Sequence, residues 1–415
     1  MQLERENNFE AYIVDALKAV SLKFVESTED IEEAPGFEPE FAHQHFGETE
    51  NIIGFKGLEV SVCYSDCTLF IYPRIHYESV IPADSELKAD DILYKIRDQL
   101  PSSQLDGLVS SLSSYQIKLN QQKRFKPYGE LISKFYFDDS YDGLKKEIQI
   151  YKVEYTEDED VHRYIERAQS LAFWYIDGAS YTDNDDPRFF HYFAFESTKH
   201  EEDGSRKYKF AGYSSLYRFY YHPDKDRVRI AHMLLSPPYR QQGNGIRFLN
   251  AIYSDLRSRE KVYDITAESF ADNFLFMRDF ADCVSCAELP EFSKDHLLKG
   301  YTKKMSEAAL KKLKLHQAQT RRIYEILRFN CTPPDQQSQA EYKADVVKRI
   351  EKPLKRSKRD LSKLTEALNP KELAVVAKNL DGDQQKQLIE EQYNNTVDSY
   401  KIVLNRLKSM KQRNF

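Results

Sequence analysis

A chain of 415 residues is too long for one compact core and calls for two or three domains. It is 41% hydrophobic and 31% charged, with 28 Tyr and 25 Phe, so it has aromatic surface to bury and the charge of a soluble protein. The net charge of -7 hides an asymmetry: residues 301–415 hold 25 Lys and Arg against 14 Asp and Glu, the rest 35 against 53.

No stretch approaches the ~18 apolar residues of a membrane helix. The start Met1-Gln2-Leu3-Glu4-Arg5-Glu6 is too polar for a signal peptide. Five Cys, odd in number and sparse, fit a reducing compartment. An acidic front part attracts cationic partners and repels nucleic acid, although ordinary solvated faces would give the same numbers.

The elements divide the chain into an α/β N-terminal domain (1–135), a central domain (136–298) and a basic helical region (299–415). In the first, Ile53–Val60 and Leu69–Tyr72 have strand alternation. Asp91–Leu100 has helical spacing at Ile92, Ile96 and Leu100, stopped by Pro101. In the third, apolar residues recur at helical spacing over Lys311–Phe329, and Pro333-Pro334 ends that helix. Residues 341–415 have a thin apolar stripe, as a helical appendage or a partly disordered segment would. The basic run Lys352–Arg359 reads as an import signal or as a helix start.

The central domain holds the window that carries chemistry. Val228, Ile230, His232 and Leu234 alternate as one face of a strand, which Pro237-Pro238 terminates. Arg240-Gln241-Gln242-Gly243-Asn244-Gly245 follows, and then Ile246, Leu249, Tyr253 and Leu256 recur at helical spacing. A loop of this kind turns several N–H groups and a helix N-terminus toward one point, which suits a pyrophosphate. Glycine is needed where a side chain would hold the phosphate off. Alone the motif is more often a plain turn.

A second strand, Val262–Ala267, ends in Glu268. In a parallel βαβ unit ligands sit beyond the carboxyl ends of the strands, which puts Glu268 where a reacting group would arrive. A carboxylate partly buried there would have a raised pKa and serve as a general base. A free lysine is neutral only on the order of one time in a thousand at pH 7, so an attacking amine needs such a base. A backbone N–H on the Met233–Leu235 strand would donate to the oxyanion. The plainer reading of Glu268 is a helix N-terminal charge, and the neighbouring loop argues against it.

The loop has the Gln/Arg-x-x-Gly-x-Gly/Ala pattern of the GNAT acetyltransferases. Further segments resemble the catalytic subunit of type B histone acetyltransferases: Phe41–Gly47, Gly54–Leu58, His191–Phe193, Tyr221–Lys225, Asp264–Glu268 and Arg321–Leu327. The resemblance runs from about residue 20 to 330. It implies an α+β fold, a GNAT core between an α/β N-terminal domain and a helical C-terminal region.

It further implies acetyl transfer from acetyl-CoA to lysines of the newly made histone H4 tail, which can travel with histone H3. It implies a WD-repeat histone-binding partner, and residence in cytoplasm and nucleus. By resemblance Glu268 is the base and Asp177 a second carboxylate where relatives tend to carry Glu. Met233, Leu235, Arg240, Gln241, Gln242, Gly243, Asn244, Gly245 and Asn273 would hold the cofactor. Phe190 (or Phe189, one position off) and Tyr217 would line the peptide channel, and Asp185 and Asp186 would steer a basic tail. Relatives follow the base with Asp-Pro, whereas this chain has Ser269-Phe270. The rivals are a GNAT enzyme for another protein or amine, a weakly active histone chaperone, and a structural adaptor with a vestigial loop.

Two Cys pairs, Cys63/Cys67 and Cys283/Cys286, have a spacing that a zinc site could use, but they lack knuckle glycines and read as core residues. His43 and His45 read as structural residues remote from the loop. No Gly-x-Ser-x-Gly elbow surrounds Ser214-Ser215.

Overall fold

The computed structural model describes residues 10–82, 85, 87–104, 107–199, 204–268, 271–365 and 382–413. Ser269 and Phe270, where the chain departs from the family pattern, lie outside them. So do the side chains of the basic run from residue 354 onward. The chain forms two compact units, residues 1–220 with 228–255, and residues 221–227 with 256–415. Among the described residues no helix is long and apolar enough to cross a membrane.

The first unit contains two main sheets. The smaller has three strands, β1 (Val20–Val25), β2 (Glu59–Ser65) and β3 (Ile71–His76), with β1 parallel and β3 antiparallel to the central β2. Helices α1 (Ile92–Asp98) and α2 (Leu112–Gln122) follow. The predicted helix at 91–100 is α1, capped by the Asp91 carboxylate, which accepts from the Tyr94 N–H at 2.9 Å.

The larger sheet is a meander of β4 (Glu130–Asp138), β5 (Lys145–Val153), β6 (Phe189–Lys199), β7 (Arg206–Tyr221) and β8 (Lys225–Leu235), adjacent in chain order. β6 is buried from Phe190 to Ser197 without alternation, because both of its faces are covered. Helix α3 (Glu159–Ser170) and the one-turn α4 (Ala172–Tyr175) lie between β5 and β6 in the chain. One apolar core joins Leu22, Val60 and Val62 of the small sheet to Tyr164, Trp174, Phe193, Phe195 and Leu234.

At Gly212 on β7 the neighbouring strand comes very close. A Cβ there would stand 2.4 Å from the Leu234 carbonyl oxygen and 3.0 Å from the Leu235 Cα, so only glycine fits. β8 keeps the expected alternation, with Val228, Ile230, His232 and Leu234 buried and the residues between them half-buried.

β8 begins in the second unit, where the Asp226 N–H donates to the Lys261 carbonyl at 2.8 Å. The Arg227 guanidinium there grips the Asp264 carboxylate by two hydrogen bonds of 2.7 and 2.9 Å. Asp264 lies on β9 (Val262–Ala267), is 1% exposed, and is thereby neutralised. Helix α5 (Asn244–Ser258) starts in the first unit and ends in the second.

The rest of the second unit is helical: α6 (Asp272–Ala287), α7 (Lys303–Leu313), α8 (Gln317–Cys331), α9 (Gln336–Thr365) and α10 (Gly382–Arg413). The single helix expected over Lys311–Phe329 is therefore two. Lys314 breaks it in the left-handed region at φ 56°, so that its carbonyl can accept from the Ile265 N–H at 2.8 Å. Leu315, wholly buried, then bridges to Ile265 on β9.

The thin stripe of the C-terminal segment is enough for a small core of Tyr342, Val346, Ile350 and Val397. Beside it lies a charged centre. Glu325 is 0% exposed; one carboxylate oxygen accepts from Arg321 at 2.7 Å and Arg349 at 2.8 Å, the other from the Tyr400 hydroxyl at 2.8 Å.

Candidate active site

The residues after β8 form a loop built from inside by its own side chains. Pro237–Tyr239 makes one tight turn, with the buried Tyr239 hydroxyl donating to Glu196 on β6 at 2.9 Å. The Asn244 amide, 2% exposed, donates to the Tyr239 carbonyl at 3.1 Å. The Gln242 side chain donates to the Pro238 carbonyl at 3.0 Å and accepts from the Ser140 N–H at 3.0 Å. Arg240 donates to the Leu235 carbonyl at 2.9 Å and to Glu40 at 2.6 Å, with its guanidinium 4.1 Å above the Tyr175 ring.

These side chains are all spent on shaping the loop. Gln241 (φ 60°) and Gly243 (φ 76°) take the left-handed conformation, which lets the chain turn back before α5. The N–H groups of Gln241, Gln242 and Gly243 have no acceptor among the described residues, and the first-turn N–H groups of a helix have none within the helix. Such a cluster of donors fits a diphosphate. A CoA-type donor would therefore be held by the backbone of residues 241–245, while Arg240, Gln242 and Asn244 act by keeping that backbone in place. Met233 and Leu235 are half-buried on the last turn of alternation of β8.

Substituting Gly212→Ala is expected to push the Leu234–Leu235 end of β8 away. We expect a loss of about 1–3 kcal/mol of stability and weaker acetyl-CoA binding. Thermal unfolding and calorimetric titration measure the two effects; an unchanged affinity would show that the close approach at Gly212 does not shape the site.

Asp177 follows α4 and its side chain is 75% exposed. His43, on the one-turn helix His43–Phe46, holds Nε2 3.4 Å from Asp177 and Nδ1 3.6 Å from Glu50. Glu50 in turn accepts from the Ala42 and His43 N–H groups at 2.6 and 3.0 Å. His43 thus lies beside a candidate site residue. The same segment is tied to the 174–179 turn by Gln44, which exchanges two hydrogen bonds with Ala179 at 2.9 and 3.0 Å. His45 stacks on Trp174 with ring centroids 3.7 Å apart, and its burial pushes it down to about 3.

Of the two phenylalanines at the start of β6, Phe190 is 0% exposed, under the Arg218 guanidinium at 3.9 Å. The accessible ring is Phe189, which meets Tyr217 edge-on at 4.7 Å and pairs with it across β6 and β7. Of the two alternatives, Phe189 is therefore the ring that a peptide could meet. Asp186 is already gripped by Arg188 through hydrogen bonds of 2.7–3.1 Å, which hold its carboxyl down to about 2. Asp185 is exposed, which leaves it the freer of the two to meet a basic tail.

Burial pushes His191 down to about 3 and His232 to about 4, so both imidazoles stay neutral and weakly basic. The candidate carboxylates lie exposed instead. Glu268, in the second unit, is one: it stands one residue beyond β9 and is exposed, where partial burial was expected. Asn273 is exposed in the first turn of α6. Cys63 and Cys67 lie in the first unit and Cys283 and Cys286 in the second, all buried. No group of His, Cys, Asp or Glu among the described residues could hold a metal ion.

A strand, a loop of amide donors and a helix N-terminus are the arrangement that an acyl-CoA-type N-acyltransferase site would need. The models for the histone acetyltransferase HAT1 N-terminus and for the C-terminal part of the type B catalytic subunit match residues 12–177 and 278–329. The chain is 32% identical over 405 residues to the histone acetyltransferase type B catalytic subunits of Rattus norvegicus and Homo sapiens, covering 97% of this chain and 95% of each of theirs. A Dictyostelium discoideum counterpart is 30% identical over 79% of this chain and 70% of its own. The chain belongs to the family of histone acetyltransferase type B catalytic subunits, and it is an acetyltransferase.

Proposed function

We propose that this chain transfers the acetyl group of acetyl-CoA to lysine side chains of the newly synthesised histone H4 tail, by direct amine attack in a ternary complex. The observation that carries this reading is the loop at 240–245, whose Gln242 and Asn244 side chains are spent on the loop itself while the N–H groups of Gln241, Gln242 and Gly243 have no acceptor among the described residues. Acetyl-CoA supplies an activated thioester; the chain supplies position and proton acceptance. Glu268 is the base, and Asp177, oriented by His43, is the supporting carboxylate.

The exposed Asp185 and the Phe189–Tyr217 pair suit a basic peptide, by charge and by cation–π contact. Histone H3 alongside H4, a WD-repeat histone-binding protein as partner, and residence in both cytoplasm and nucleus belong to the same reading.

Acetyl transfer by the full chain to an H4 tail peptide, with lysine-free and non-histone peptides as controls, tests the proposal. We expect transfer confined to the H4 lysines. Equal transfer to unrelated amines would point to another amine substrate. Tight H4 binding without turnover would point to a histone chaperone.

A further inference from the structure

Just past the Arg240–Gly245 motif, the first turn of α5 carries a second arginine, Arg247, exposed to solvent. Long helical side chains lean toward the helix N-terminus, and Arg247 does so: its Nη1 donates to the Gln242 carbonyl at 2.9 Å and lies 3.4 Å from the Asn244 Oδ1. The guanidinium therefore rests across the mouth of the loop. A Cβ on Gly243 would come within 3.0 Å of Nη1, so the glycine makes room for this arginine as well as for the turn.

The two arginines differ in what they face. Arg240 is neutralised by Glu40 at 2.6 Å. Arg247 meets two neutral oxygens and, 6.0 Å away, the Phe135 ring, and pairs with no carboxylate among the described residues, while a guanidinium has five N–H donors to satisfy. A positive charge held by neutral acceptors, beside free backbone N–H groups, favours an anion over those acceptors, since a phosphate adds charge–charge attraction and accepts two N–H groups of the fork at once.

We propose that Arg247 is a diphosphate ligand of this acetyltransferase, closing its guanidinium fork over the two phosphates while the 241–245 backbone holds them from below. This rests on the reading of the loop as the acyl-CoA site. The planar fork matches phosphate oxygens two at a time, so Lys would replace it only in part. The contact would release the Gln242 carbonyl and leave the loop backbone unchanged.

The test is calorimetric binding of CoA and of dephospho-CoA, which lacks the 3′-phosphate, to the full chain and to Arg247→Gln and Arg247→Lys. Arg247→Gln should weaken both ligands equally, by about 10-fold or more, with an unchanged thermal midpoint in the absence of ligand. Arg247→Lys should lose less, and the salt dependence of affinity should flatten in Arg247→Gln. Loss confined to CoA would mean that Arg247 meets the 3′-phosphate, and it would overturn the assignment. Unchanged affinity in both variants would overturn it too, and leave the loop as the acyl-CoA site. If the wild-type chain binds neither ligand, the reading of the loop itself falls.

Discussion

Glu268→Gln is expected to slow acetyl transfer to an H4 tail peptide on the order of a hundredfold or more, with affinity for acetyl-CoA unchanged. The amide keeps the size of the side chain but cannot take a proton, and a positioned base contributes about that factor. The pH dependence sharpens the test. Without a base the reaction must wait for amine already neutral in solution. That fraction rises about tenfold per pH unit below the lysine pKa near 10.4. The variant's residual rate should therefore climb steeply from pH 6 to 9, while the wild type climbs less.

The two candidate carboxylates separate in the same experiment. If Glu268→Gln is unharmed and Asp177→Asn is slowed, the base is Asp177, and His43→Ala should then reproduce part of the loss through the 3.4 Å contact. If both are unharmed, neither carboxylate takes the proton.

The second large effect concerns the helices of the second unit. Glu325→Ala should lower the stability of that unit by about 3–5 kcal/mol, because a buried charge network is broken by removing its shared partner. Arg321, Arg349 and Tyr400 all point donors at this one carboxylate and would lose it together, Arg321 keeping only Asp345 at 2.8 Å. For a unit of this size the melting transition should fall by roughly 10 °C. Differential scanning calorimetry reads it directly; a midpoint within a degree or two of wild type would show the network to be dispensable. Glu325→Gln keeps the shape and an acceptor oxygen and should cost less.

Much of the central strand–loop–helix order was legible because it is local. The alternation of Val228–Leu234, the glycine-bearing loop and the periodic apolar face of α5 follow one another within some thirty residues, and each rests on a backbone rule that needs no distant partner. What could not be read is what the fold brings from afar. His43 and Asp177 are 134 positions apart, and Glu40 and Arg240 are 200 apart; nothing in either segment names the other. Exposure misled for a related reason. A strand end suggests partial burial, but Glu268 falls one residue past β9 and into solvent.

The break at Lys314 escaped for another reason. Lysine is a good helix former, and the demand for a left-handed residue comes from the Ile265 N–H, which lies on a different element. The choice between Phe189 and Phe190 turned on strand parity. A slip of one residue exchanges an inward ring for an outward one, and only the pairing of Phe189 with Tyr217 fixes it.

The ion pair between Glu40 and Arg240 has a meaning for the history of the family. Arg240 begins the stretch that shapes the loop, yet its guanidinium depends on a carboxylate contributed by a segment near the other end of the chain. Loss of Glu40 would leave the Arg240 guanidinium over the Tyr175 ring without its carboxylate, and loss of Arg240 would free the Leu235 carbonyl. Descendants should therefore keep the two together or change them together. An inherited partnership of this kind would make the N-terminal segment as slow to evolve as the loop it serves.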